Sequence, residues 1–218
     1  RLRKLDIFTM YNHFMRLLFV TDARSPISRN WMRYFIERGD EVFIASTFEW
    51  DSEGFPPERM EFTPVAFSAV KKRSSAPSSA SSRTLSLRTK IRQWLGPVTI
   101  PASARKLRAF IQKVQPDIVH AMRVPYEGML TASVLSGMTS KARNEVEARF
   151  VASIWGNDFT LHAPSTPLMR YYTRLTMKTV SALHADCERD IRLAQEWGLS
   201  LDKLTLVTPG NGGVRSDI

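Results

Sequence analysis

Seven short apolar runs, most of them followed by a stretch of helical periodicity, constrain this 218-residue chain more than any other feature. The runs are 16–21 (RLLFVT), 41–46 (EVFIAS), 61–67 (EFTPVAF), 117–122 (DIVHAM), 149–155 (RFVASIW), 181–185 (SALHA) and 203–208 (KLTLVT). Short, nearly continuous hydrophobicity marks strands covered on both faces, the usual state of strands in a parallel sheet. Amphipathic segments lie between them at 26–38, 102–114, 125–137, 167–180 and 188–197. This alternation predicts an α/β fold: a Rossmann-like, doubly wound parallel sheet of about seven strands with helices on both faces.

The first strand–helix junction carries explicit signals. Ser25 suits the N-cap, Pro26 the first helical position, where no N–H is needed, and Gly39 the stop after Arg38. In a doubly wound sheet the ligand crevice opens at the carboxyl ends of the strands, where a helix N-terminus presents free N–H groups. Asp22, Arg24 and Ser25 therefore either line that crevice or form an ordinary turn and cap. No glycine precedes Gly39, so the loop lacks the G-x-G-x-x-G fingerprint of a dinucleotide site, which removes most of the case for an NAD- or FAD-dependent oxidoreductase. A Tyr-x-x-x-Lys pair is also missing, since Leu175 and Thr176 stand four positions after Tyr171 and Tyr172.

Two later strand ends add chemistry to the same rim. The strand at 117–122 delivers His120 and Arg123 there; Arg123 is suited to clamp an anion, while His120 reads as a core histidine bonded inside the sheet. IWGNDF, 154–159, ends a strand in a turn. Gly156 permits the bend, Trp155 is a stacking platform or a core edge, and Gly156 and Asn157 are, with Trp155, candidates to contact a substrate in the cleft. Asp158 is placed to accept hydrogen bonds from a polyhydroxyl substrate or to act as the catalytic charge; the alternative is an Asx-type turn. His162 and His184 have no second ligand at metal spacing, so no metal site is expected. Cys187, the only cysteine, excludes an intramolecular disulfide and reads as a buried small side chain. The 171–180 stretch reads as core. No targeting or membrane-spanning segment is visible, which fits a reducing, cytoplasmic compartment.

The net charge of +10 is concentrated rather than spread. Between Phe62 and Pro116 there is no acidic residue but eleven cations, among them Lys71, Lys72, Arg73, Arg88 and Arg92. Residues 71–83 are Ser-rich and expected to be a mobile loop. Residues 85–95 place Leu87, Ile91, Trp94 and Leu95 on one helical face and Arg88 and Arg92 on another. The expected organisation is an N-terminal extension at 1–14 and one domain at 15–218 carrying a basic insertion at 68–98.

Taken together, these motifs resemble the N-terminal domain of glycosyltransferases of the GT-B architecture, family 4 ("group 1"), most of them retaining. RLLFVTDARSPISRNWMRYFIERGDEVFIAS resembles that family's opening strand, Ser-Pro turn, helix, Arg-Gly pair and second strand. PDIVHAM resembles its Pro-Asp-x-Val-His signature, WGNDF its His-Gly-x-Asp turn, and VTPGNGGV the exit towards a second domain. The likeness spans 16–214. Three positions depart from it: Trp155 replaces the turn's histidine, Ile27 follows Ser25-Pro26 where the family has histidine, and Gly213 is added after Asn211-Gly212.

The resemblance implies an acceptor-binding half of an enzyme that transfers a hexose from a nucleotide-sugar to a glycan or lipid-linked acceptor. The donor would sit on a second domain absent from these residues, no cofactor beyond that co-substrate would be needed, and the half alone would be inactive. Cell-envelope polysaccharide biosynthesis and a peripheral position on the inner membrane face are further expectations. Lys71, Lys72, Arg73, Arg88, Arg92 and Trp94 would contact anionic lipid at about 1 kcal/mol per basic residue, or else form a solvated loop. The competing reading is a non-enzymatic module binding nucleic acid or an anionic surface through 71–113. It is disfavoured for nucleic acid because Trp94 alone interleaves an aromatic ring with the basic run.

Overall fold

The computed structural model describes residues 14–50, 55, 60–65, 97–138 and 149–208. Seven strands, β1 (Arg16–Thr21), β2 (Glu41–Ser46), β3 (Met60–Pro64), β4 (Ile118–Ala121), β5 (Arg149–Ile154), β6 (Ala182–Ala185) and β7 (Leu204–Val207), form one sheet. Their order is β3-β2-β1-β4-β5-β6-β7 and every neighbouring pair is parallel. The chain winds outward from β1 in one direction and from β4 in the other, so the order reverses between those two strands. That reversal opens a crevice at their carboxyl ends.

All seven expected strands are present, shifted by a few residues at their ends. β3 stops at Pro64 on the sheet's edge, where a missing N–H costs no ladder bond to a further strand. The helices are α1 (Pro26–Arg38), α2 (Ile100–Val114), α3 (Met129–Ser136), α4 (Pro167–Thr179) and α5 (Glu188–Glu196).

Strand alternation sorts the core onto two faces. Leu18 and Val20 of β1 point into the larger cluster, with Leu107 and Ile111 of α2, Leu130 of α3, Met177 of α4 and Ile191 of α5. Leu17 and Phe19 point the other way, onto Met32 and Ile36, and α1 is the only described helix in that cluster. Further along this second face, over β4 to β7, lies an apolar groove of about 250 Å³ lined by residues including Trp31, Phe35, His120, His184, Leu204 and Leu206. His120 is buried there and bonds Ser153 Oγ at 2.9 Å; Ser153 reaches His184 Nδ1 at 3.1 Å, and His184 Nε2 reaches Thr208 Oγ1 at 2.6 Å. The core reading of His120 holds, and His184 joins it through Ser153 in a polar chain. Burial pushes the His120 imidazole down to about 3, with the proximity of His184 adding to the effect.

The expected helix at 125–137 is shorter than its pattern suggests. Residues Val124–Gly128 form a wide turn closed by Gly128 N–H donating to Arg123 O at 2.8 Å, and the helix proper starts at Met129. Pro125 is extended at ψ 129, and Tyr126 has φ 66 and ψ −62, the strained γ-turn region. A side chain at Gly128 would meet Arg123 O at 3.0 Å and Thr176 Cγ2 at 3.1 Å, so any larger residue would have to push these neighbours back by a few tenths of an ångström.

At the amino-terminal rim, Arg16 ties four elements together. Its Nε and Nη2 donate to Val114 O at the end of α2, its Nη1 to Glu41 of β2, and its backbone N–H to Asp117 Oδ2 before β4. Lys113 also pairs with Glu61. α1 ends at Gly39, whose φ of 102 lets the N–H groups of Gly39 and Asp40 return to Ile36 O and Phe35 O. An alanine Cβ there would be strained and would lie 2.5 Å from the Phe14 ring. Gly39→Ala is therefore expected to cost about 1–2 kcal/mol in urea unfolding, and an unchanged midpoint would show that the turn relaxes freely.

Lys71, Lys72, Arg73, Arg88, Arg92, Trp94 and most of the 68–98 insertion lie outside the described residues, as do Asn211, Gly212 and Gly213. Cys187 departs from expectation: it is half-buried at the N-cap position of α5 rather than enclosed.

Candidate functional site

At the reversal point the carboxyl ends of β1, β2, β4 and β5 surround a cavity of about 270 Å³. Thr21, Asp22, Arg24, Ser25 and Ser28 line it from the β1–α1 junction, Phe48 from the β2 exit, Arg123 and Glu127 from the β4 exit, and Trp155 from β5.

The β1 junction is built around Asp22. Its Oδ1 accepts from Arg24 N at 3.1 Å, an Asx turn, and its carboxylate takes Arg24 Nε and Nη2 at 2.9 Å each. The turn and the cavity wall are thus the same feature. Hydrogen bonding to Asp22 raises the Arg24 guanidinium further above its usual range, against burial. The guanidinium also stacks 3.8 Å from the centroid of the Phe48 ring. Ser25 occupies the N-cap position, but its side chain makes no capping bond. Below it, the hydroxyls of Thr21 and Ser28 lie 2.6 Å apart, one donating to the other.

The β4 and β5 exits are joined by one carboxylate. Asp158 accepts from Arg123 Nη2 at 3.0 Å, from Val124 N at 3.2 Å and from Trp155 N at 3.2 Å. Its side chain is fully buried, whereas that of Arg123 is 39% exposed. Burial raises the Asp158 carboxyl above the usual carboxylate range, and Arg123 and the two N–H groups pull against it. For Arg123 burial acts downward, yet the neighbouring carboxylates of Asp158 and Glu127 outweigh it and raise the guanidinium. Asp158 stands behind the cavity wall, where it aims Arg123 and fixes Trp155; it is not among the lining residues.

Gly156 and Asn157 are exposed and also lie off the lining. Gly156 does not adopt the left-handed conformation, and a Cβ there would meet nothing within 4 Å, so the bend does not depend on glycine. Its carbonyl instead accepts from Arg189 Nη2 at 2.9 Å, and the same guanidinium holds Asp190 Oδ1. The turn closes as a wide helical loop, with Ala163 N–H donating to Asp158 O at 2.9 Å.

Of the expected binding residues, Asp22, Arg24, Ser25, Arg123 and Trp155 share one cavity. Sequence reasoning missed Thr21, Ser28, Phe48 and Glu127. Glu127 is 4% exposed, and its Oε1 accepts from Thr47 Oγ1 at 2.9 Å. A carboxylate four positions after Arg123 on the same strand exit was the available signal, masked by the apolar pattern that read as helix. Among the described residues, no group of three His, Cys, Asp or Glu could hold a metal ion, and no helix is long and apolar enough to cross a membrane.

A family model described as a glycosyl transferase 4-like domain matches residues 28–210. Among solved structures, a sucrose-phosphate synthase from Thermosynechococcus elongatus aligns over 89% of this chain and 88% of its own, with TM-score 0.51 and 10% identity. The Bordetella bronchiseptica enzyme WbmH, solved in complex with NAD+, aligns over 78% of this chain and 56% of its own, with TM-score 0.46 and 15% identity. No curated protein matches. The first of these likenesses supports the parallel α/β fold.

Proposed function

We propose that this chain, which belongs to the glycosyl transferase 4-like domain family, is the acceptor-binding half of its glycosyltransferase and seats the acceptor in the cavity between β1 and β4. The observation that carries this reading is convergence. Three separate strand exits place Asp22, Arg24 and Ser25, then Arg123 and Glu127, then Trp155 around one space at the switch point of the sheet, where α/β sheets bind their ligands.

In this reading the side chains divide their work. The Trp155 indole offers an apolar face to a sugar ring, and Ser25, Asp22 and Glu127 engage hydroxyl groups around it. Asp158 acts as a positioning residue through Arg123 and the backbone of Trp155. The nucleotide-sugar donor would face this cavity from a second α/β unit outside the present residues, as the GT-B likeness implies, and these residues alone would not catalyse transfer. Hexosyl transfer with retention, and a role for the basic stretch at a membrane surface, are carried by the same likeness.

Titrating the chain with methyl glycosides and, separately, with UDP- and GDP-sugars tests the assignment. Glycosides are expected to change tryptophan fluorescence, with Trp155→Phe removing at least half of the change, and nucleotide-sugars are expected to leave the cavity signal unaltered. Nucleotide-sugar binding that Trp155→Phe abolishes, with no response to any glycoside, would make this the donor site and overturn the proposal.

A further inference from the structure

The charges around the cavity suggest which acceptors it admits; this deepens the acceptor reading and rests on it. Four charged side chains line the space, Asp22 and Glu127 against Arg24 and Arg123, and the Asp158 carboxylate stands directly behind Arg123. Three carboxylates therefore face two guanidinium groups. Arg24 is held by both oxygens of Asp22, and Arg123 is paired with Asp158. An incoming phosphate or carboxylate would have to compete with an existing bidentate or buried pair, and it would do so beside Glu127.

The remaining polar atoms ask for something different. The cavity wall presents the hydroxyls of Thr21, Ser25 and Ser28, which donate and accept, beside the Glu127 carboxylate, which only accepts. A sugar hydroxyl donates and accepts and so suits such a wall, whereas an ionised phosphate or carboxylate only accepts and brings a further negative charge beside Glu127. The strained Tyr126 backbone is the hinge between Pro125 and Glu127, and strain of this kind gathers where a side chain must be aimed for a task. The cavity of about 270 Å³ is at the small end for a ligand site, which fits one ring rather than an extended oligosaccharide.

We infer that the cavity selects an uncharged, hydroxyl-bearing sugar ring and discriminates against anionic ones, with Glu127 as the specificity-determining acceptor for one of its hydroxyls. Ligand-observed NMR on the chain tests this with methyl glycosides of glucose, galactose and mannose, each compared with its uronate and 6-phosphate. At least one neutral glycoside is expected to bind ten-fold or more tighter than its anionic counterparts. Glu127→Gln is expected to weaken that neutral ligand five-fold or more and to narrow the discrimination. Because Glu127 also holds Thr47, loss of fold in this variant is a separate outcome; the comparison of ligands on the unaltered chain needs no variant and decides the matter alone. Anionic sugars binding as well as neutral ones, with both weakened by Trp155→Phe, would overturn the selectivity and leave the acceptor cavity standing. Absence of all binding, or binding indifferent to Trp155→Phe, would remove the acceptor reading and the selectivity together.

Discussion

Asp158→Ala is expected to lower the unfolding free energy by about 3 kcal/mol, the loss typical of breaking an ion pair whose acid is buried. The substitution removes one partner only. Arg123 would keep its charge in a half-enclosed position, and the N–H groups of Val124 and Trp155 would lose their acceptor. Solvent reaching the exposed part of the guanidinium keeps the figure at the lower end of the range for fully enclosed pairs. Asp158→Asn retains the shape and one acceptor oxygen and is expected to lose roughly half as much. Urea unfolding of the two variants checks both values. A change below about 0.5 kcal/mol for alanine would mean that the carboxylate contributes no more than a surface ion pair.

Acid is expected to destabilise the fold already above the range in which ordinary carboxylates protonate. The His120 imidazole titrates near 3 in the folded chain, against an ordinary 6.5. Between those values the unfolded chain takes up a proton that the folded chain refuses, so stability is fully present above about pH 6.5 and falls as pH drops towards 3. At about 1.4 kcal/mol per unit, His120 alone would remove roughly 2–3 kcal/mol between about pH 6.5 and 4.5. His184, also shifted down by burial, acts in the same direction. His120→Gln can still bond Ser153 but does not titrate, and it is expected to flatten this part of the profile by about 2 kcal/mol. Denaturation at several pH values would expose the error if variant and parent lost stability in parallel.

The sheet was legible because its signal is local. RLLFVT and EVFIAS are apolar without alternation, and in the structure their side chains pack onto both faces. Ser25, Pro26 and Gly39 bound α1 at its observed ends. The site was legible only as far as it depended on strand exits, which a parallel topology sends to one rim; hence Asp22, Arg24, Ser25, Arg123 and Trp155 come together. What the pattern did not reveal is depth. Asp158 and Glu127 are polar residues whose burial depends on ion pairs and hydrogen bonds made 35 and 80 positions away, and no periodicity records such contacts. The wide turns at Val124–Gly128 and Asp158–His162 were hidden for a related reason, since their closing bonds span five residues and leave the helical spacing nearly intact.

The Arg16 knot at the amino-terminal rim has a consequence for how such a scaffold can change. Its four attachments clamp β1, β2, α2 and the approach to β4 from below, far from every loop that borders the cavity. Mutational tolerance is therefore partitioned. Outside the Asp158 ion pair and the close approach at Gly128, the upper loops can change in length and chemistry while the lower clamp preserves strand register, which makes the molecule evolvable at one end and conservative at the other.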